Sequence, residues 1–227
     1  MRIRTYVIIG AAVVVVGGGA ALVGPGIYAD WANSRADEAP SLRSTDQSSA
    51  AESAVDPAGV TGEFSLAEGS YAGYRVHEIL QGNDVNVTGR TESVQGSATV
   101  VAGVVTEATI TVDMASVATD ESARDAYFRD TALEVEQFPD ATFTLTAPAE
   151  IPDGGGPLTL SGDLEVHGVS QPVDFEAQAS VTEEQMEVAG AVPITFSDFE
   201  VEAPDLGFVT VDDAGEVEFY LVWDSAA

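Results

Sequence analysis

Leu158-Thr-Leu-Ser-Gly-Asp-Leu-Glu-Val166 and, shortly after it, Val173-Asp-Phe-Glu-Ala-Gln-Ala-Ser-Val181 decide the fold. In both stretches apolar and polar residues alternate. Leu158, Leu160, Gly162, Leu164 and Val166 fall on one parity, as do Val173, Phe175, Ala177, Ala179 and Val181. Side chains of a β-strand point to opposite faces with period two, so each stretch has one apolar and one wet face. Working outward, the same pattern recurs in Ser70–His77, Val85–Arg90, Val94–Val101, Val104–Asp113, Ala141–Ala147, Met186–Ile194 and Val217–Trp223. Pro152-Asp-Gly-Gly-Gly-Pro157 and Asp212-Asp-Ala-Gly215 read as turns. One helix is expected, capped by Thr119 or Asp120 and running through Arg124, Asp125 and Phe128. Consecutive one-faced strands must bury their apolar faces against each other, in a sandwich or a closed barrel. A barrel would have an apolar interior fit for a greasy ligand.

Composition narrows the partners. Asp and Glu number 38 against 8 Lys and Arg, a net charge of −30. Every basic residue is an arginine: Arg2, Arg4, Arg35, Arg43, Arg75, Arg90, Arg124 and Arg129. A chain this acidic repels a phosphate backbone, so nucleic acid is not an expected partner. The acids keep the surface solvated. With no cysteine, disulfides, thiolate catalysis and zinc–thiolate or iron–sulfur sites are excluded.

The N-terminus points to a membrane. Arg2 and Arg4 precede a run from Tyr6 to Val23 without charge, followed by Gly24-Pro25-Gly26 and then Tyr28 and Trp31. Such a run can cross the hydrocarbon core as a helix with its N-terminus in the cytoplasm, and Tyr28 and Trp31 would lie at the outer interface. The alternative is a signal peptide, secreting the domain after cleavage, with Ile27-Tyr28-Ala29 as a poor cleavage site. Either way the remainder lies outside the cytoplasmic membrane. The expected organisation is an anchor at residues 1–31, a disordered linker at 32–59 and a β-domain at 60–227. The linker is rich in Ser, Ala, Asp, Glu and Gln and has no periodicity.

Chemistry-bearing motifs are few. His77 and His167 without cysteine make a poor metal site, and each is expected to close a strand end or meet a polar ligand group. There is no Gly-x-Ser-x-Gly. Ser70 is too far from His77 along an extended strand for a nucleophile–base pair. No catalytic or metal-binding residue is assigned, and no cofactor. Arg124 and Asp125, adjacent on the helix, point in different directions and are expected to peg it onto the barrel.

Several pieces, in order, resemble the YceI-like, polyisoprenoid-binding domain family. They are Ser70-Tyr-Ala-Gly-Tyr74-Arg-Val-His77, then Ser116-Val-Ala-Thr119 with Arg124-Asp125, then Leu133 to Phe143 around Pro139. Gly162-Asp-Leu-Glu-Val-His167-Gly168-Val-Ser-Gln-Pro172-Val173 is the strongest, and Ile194-Thr-Phe196-Ser-Asp198-Phe199 closes the series. The resemblance covers roughly Gly62 to Trp223. It implies a lipocalin-like antiparallel barrel of about eight strands whose cavity holds an isoprenoid chain. Tyr74 stands where the family usually has Phe, and Glu200 where it often has Gly. On this basis Tyr74, Val76, Phe143, Leu145, Leu164, Phe175, Val192, Phe196 and Phe219 are expected to face the cavity, with His77 and His167 near a headgroup. The expected function is a membrane-tethered extracytoplasmic carrier of an isoprenoid, a quinone or another lipid. The alternatives are a filled barrel serving as a cell-envelope interaction module, or a lipid-modifying enzyme. Oligomeric state is not readable from the sequence.

Overall fold

A computed structural model describes residues 24–42, 56–182 and 185–226. The run from Arg2 to Val23 lies outside these residues. Among the described residues no helix is long and apolar enough to cross a membrane.

The strands are β1 (Gly62–Leu66), β2 (Tyr71–Leu80), β3 (Asn83–Thr91), β4 (Val94–Val101), β5 (Val104–Asp113), β6 (Asp140–Leu145), β7 (Ala149–Glu150), β8 (Gly156–Val166), β9 (Val169–Val181), β10 (Met186–Thr195) and β11 (Val209–Ser225). All neighbours pair antiparallel, in the order β1-β4-β5-β6-β8-β9-β10-β11, and β11 returns to β1. The result is a closed barrel of eight strands, which leaves the ring no open edge. β2 continues the line of β1 along β11, and β3 pairs with β2, so this hairpin projects beyond the ring.

The two stretches that decide the fold form β8 and β9, paired from Gly156↔Ala179 to Val166↔Val169. His167 and Gly168 make the two-residue turn between them, with φ of 54° and 72°. Positive φ at both central residues is the requirement of a type I′ hairpin turn, and its twist matches that of the strands. β9 therefore begins earlier than the alternation suggests. Pro172 lies inside it opposite Asp163.

Two sequence expectations are corrected. Asp212-Asp-Ala-Gly215 is not a turn between strands but an irregularity within β11, where the pairing with β2 shifts between Val211 and Gly215. β11 is long because it must pair with β10 along one side and with both β1 and β2 along the other. The helix starts at Ser122, after Glu121, because the Thr119 hydroxyl is already engaged by the Asp125 carboxylate at 2.8 Å. It ends at Tyr127 and runs into a π-helical turn, Phe128–Ala132. β1 and β7, too short for a clear alternation, went unread.

The chain on the N-terminal side is part of the packing. Pro25–Asn33 forms helix α1, and Ser122–Tyr127 is α2. Tyr28, Ala29 and Ala32 of α1 are buried against Leu80, Val85, Val87 and Val209 at the projecting hairpin. Asn33 fixes the helix end by donating to the Asp84 carbonyl and accepting from Asn86 N. Tyr28 is thus buried in protein rather than lying at a lipid interface, because the hairpin offers its ring an apolar floor. Trp31 remains 41% exposed, with the Arg35 guanidinium 4.8 Å over its ring.

Beyond α1, residues 34–42 run over the outside of β2, β3 and β11 as a strap. Arg75 donates to the Asp37 carbonyl at 2.6 Å and Arg90 to that of Glu38. Leu42 packs with Ala189, Tyr220 and Val222. Beneath the strap lies Glu218, fully buried although it points outward from β11. Its two oxygens accept from Arg75 Nε at 2.6 Å and Arg90 Nη2 at 3.2 Å. A carboxylate out of water demands such partners.

Candidate functional site: an apolar cavity with a polar end

Because inward positions repeat every second residue on each strand, the barrel interior collects the apolar parity of all of them. They leave a cavity of about 190 Å³. Three aromatic rings run across it edge to face: Phe143 to Phe175 with centroids 5.6 Å apart, and Phe175 to Phe219 at 5.8 Å. One end is formed by Val105, Leu158, Met186 and Trp223, and the other by Tyr74, Val117, Phe128 and Leu133. Thr142 and Tyr74 bring the only hydroxyls among the residues lining it. A space this apolar stays dry, and a hydrocarbon chain gains by entering it.

Of the expected cavity residues, Tyr74, Phe143, Leu145, Leu164, Phe175, Val192, Phe196 and Phe219 line this space. Val76, His77 and His167 do not. Val76 shares the parity of Tyr74, but β2 has by then left the ring, and Val76 joins the cluster under α1. His77 lies on the opposite face of β2. Its ring nitrogens meet Asp212 and Asp84, each at 3.1 Å, one carboxylate per nitrogen. His167 occupies the β8–β9 turn. Its Nδ1 lies 3.2 Å from the Phe199 carbonyl, its Nε2 3.4 Å from Glu134, and its ring packs edge-on to Phe138. Among the described residues no group of His, Asp or Glu is arranged to hold a metal ion.

The alternation missed other lining residues. Leu221 and Trp223 continue the inward parity of Phe219 and were within its reach. Phe128, Val117 and Leu133 come from the helical segment and its flanks, where no strand period applies.

Behind the Tyr74 end, outside the residues that line the cavity, polar groups gather. Tyr74 stacks on Phe128, with centroids 5.1 Å apart and planes within 13°. Burial pushes the Tyr74 phenol far above its ordinary value. On the same face of β2, Glu78 is buried, and its Oε1 lies 3.6 Å from Arg124 Nη2. Arg124 also pairs with Asp120 at 3.0 Å, one turn away. Burial raises the Glu78 carboxyl above the usual range, and the Arg124 charge offsets this only in part. Asp125 turns the other way and takes both the backbone N–H and the hydroxyl of Thr119 at 2.8 Å. The adjacent Arg and Asp therefore peg opposite sides of α2.

Solved structures of similar shape share the fold. BcnA of Burkholderia cenocepacia aligns with a TM-score of 0.57 at 21% identity, over 67% of this chain and 95% of that one. A polyisoprenoid-binding domain from Saccharophagus degradans, implicated in plant cell wall breakdown, aligns at 0.59 and 20% identity, over 74% of this chain and all of that one. Protein YceI of Salmonella arizonae is 37% identical over 70 residues, 30% of this chain and 35% of the relative, so the chain matches about a third of that protein's length. The YceI-like domain model matches residues 47–223, most of the chain and all of the barrel but the last two residues of β11, and the protein belongs to the YceI-like domain family.

Proposed function

We propose that the protein binds an isoprenoid or similar lipid in its barrel and acts as a carrier rather than as an enzyme. The carrying observation is the cavity, walled by aliphatic and aromatic side chains from Tyr74 to Trp223. Each methylene moved from water into it contributes about 0.8 kcal/mol. The polyisoprenoid-binding description of the Saccharophagus degradans domain, which shares the fold, supports this choice of ligand.

We further propose that the barrel works on the outer side of the cytoplasmic membrane, held there by the uncharged run Tyr6–Val23 behind Arg2 and Arg4. α1 follows that run directly and packs at the end of the barrel where Tyr74 lies, which would keep the polar end of the cavity near the bilayer.

The test is native mass spectrometry of the full chain purified from a bacterial host, followed by solvent extraction. A polyprenyl or quinone mass, lost in folded Phe143→Glu and Phe175→Glu variants, supports the carrier reading. A chain that stays unliganded after incubation with isoprenoid quinones overturns it in favour of a filled barrel acting through its surface.

A further inference from the structure

The apolar cavity has two unlike ends. At one, Val105, Leu158, Met186 and Trp223 are all buried. Backbone hydrogen bonds lock the chain around Val105. β7 pairs with β5 through Ala149↔Val105, Ile151 N donates to the Gly103 carbonyl at 2.9 Å, and Gly103 N donates to the Val60 carbonyl at 3.0 Å. Val100, opposite Val105 on β4, is buried there too, as are Ala149 and Ile151. At the other end the cover is looser. α2 and the π-helical turn contain no buried residue, and Tyr74 and Phe128 are only half-buried. A segment with few buried apolar contacts opens most readily. A ligand therefore enters past Phe128 and stops against Met186 and Trp223.

The lining carries no charged side chain. A polar headgroup inside would give up its water without a partner, so the apolar tail goes in first. Length then follows from volume. An apolar cavity of roughly 150 Å³ lined by Leu, Ile and Phe takes one benzene. On that scale the 190 Å³ of this cavity accommodates about eight carbons, most of two isoprene units.

We propose, building on the carrier reading, that the barrel is a blind pocket for a short prenyl chain. It shelters up to two isoprene units, with Met186 and Trp223 as the stop and the headgroup at the Tyr74 end. Any further unit lies outside and contributes nothing to binding.

The test measures binding of prenol, geraniol, farnesol and geranylgeraniol, which carry one to four isoprene units, to the full chain held in an amphipathic polymer, corrected for uptake by the polymer alone. Affinity should rise at least about tenfold from prenol to geraniol and change less than about twofold with each unit after that, because only buried methylenes contribute. Met186→Ala deepens the pocket at its stop and should carry the rise on to farnesol. If that variant does not fold, Leu158→Ala at the same end should do likewise, and the parent series decides the length even without a variant. Affinity that keeps climbing through geranylgeraniol, or a break that stays at geraniol in either folded variant, overturns the length limit and leaves the carrier reading standing. Retention of none of the four overturns both.

Discussion

Phe143 on β6 fills the space that Gly162 on β8 leaves empty. A Cβ at residue 162 would stand 2.4 Å from the Phe143 ring and 2.6 Å from the Thr144 carbonyl. The ring that begins the aromatic row across the cavity is therefore placed by a missing side chain on the neighbouring strand. Gly162→Ala should destabilise the fold by about 1–3 kcal/mol, as overpacking does, and shift the ring. Chemical denaturation measures the first effect. A stability equal to that of the parent chain would show that the ring moves aside freely.

Filling the cavity should separate stability from binding. Ala72, Ala98 and Ala141 line the wall with the smallest side chains. A larger side chain such as Ala98→Leu takes up cavity space, so the unliganded chain should melt at an equal or higher temperature while its capacity for an isoprenoid falls. Retained lipid content with unchanged stoichiometry would place the ligand elsewhere.

The buried Glu218 should be costly to strand or remove. Glu218→Ala leaves Arg75 and Arg90 facing each other beneath the strap without their shared carboxylate. Breaking a buried ion pair from one side costs about 3–5 kcal/mol. Urea denaturation checks this. A loss below about 1 kcal/mol would mean that the two guanidinium groups find water, as at a surface pair.

Glu78 gives stability a definite pH dependence. Its folded-state value is raised by burial above the ordinary carboxyl value of 4.5. Between that ordinary value and the raised one, the folded chain holds a proton that the unfolded chain has lost, so stability falls as pH rises through the window. Asp120 adds to the rise, while Arg124 and the neighbouring His77 oppose it. In Glu78→Gln this component should vanish, leaving a flatter pH profile in the mildly acidic range. An unchanged slope would assign the dependence to other groups.

α1 and the strap should leave the barrel as a unit. Tyr28→Ser removes the ring that α1 buries against Leu80, Val85 and Val87, and should open residues 24–42 to protease while the barrel stays resistant. Cutting inside the barrel at the same rate would show that the two cannot come apart.

Period-two alternation sufficed for the barrel, because each long strand has one wet and one dry face. It also identified the rings from Phe143, Phe175 and Phe219, which lie mid-strand where the parity is unambiguous. It failed where a strand leaves the ring. Val76 has the right parity, yet it packs beneath α1, since nothing in β2 alone marks the point at which the hairpin projects. It failed again at Asp212-Asp-Ala-Gly215, whose residues favour a turn but are held in β11 by partners far away in sequence. The Glu78–Arg124 contact joins residues of β2 and α2, and no local pattern encodes it. The strap was unreadable for a related reason. Its residues are polar and aperiodic, and their order comes from Arg75 and Arg90 on strands they cover.

α1 begins one residue after Gly24, and Tyr28 and Asn33 fasten it to β3 and its surroundings. There is no slack between Gly24 and the barrel. A pull at Gly24 is transmitted to the hairpin within a few residues, and from there to the strand that carries both Tyr74 and Glu78. Mechanical load and cavity occupancy therefore act on the same strand.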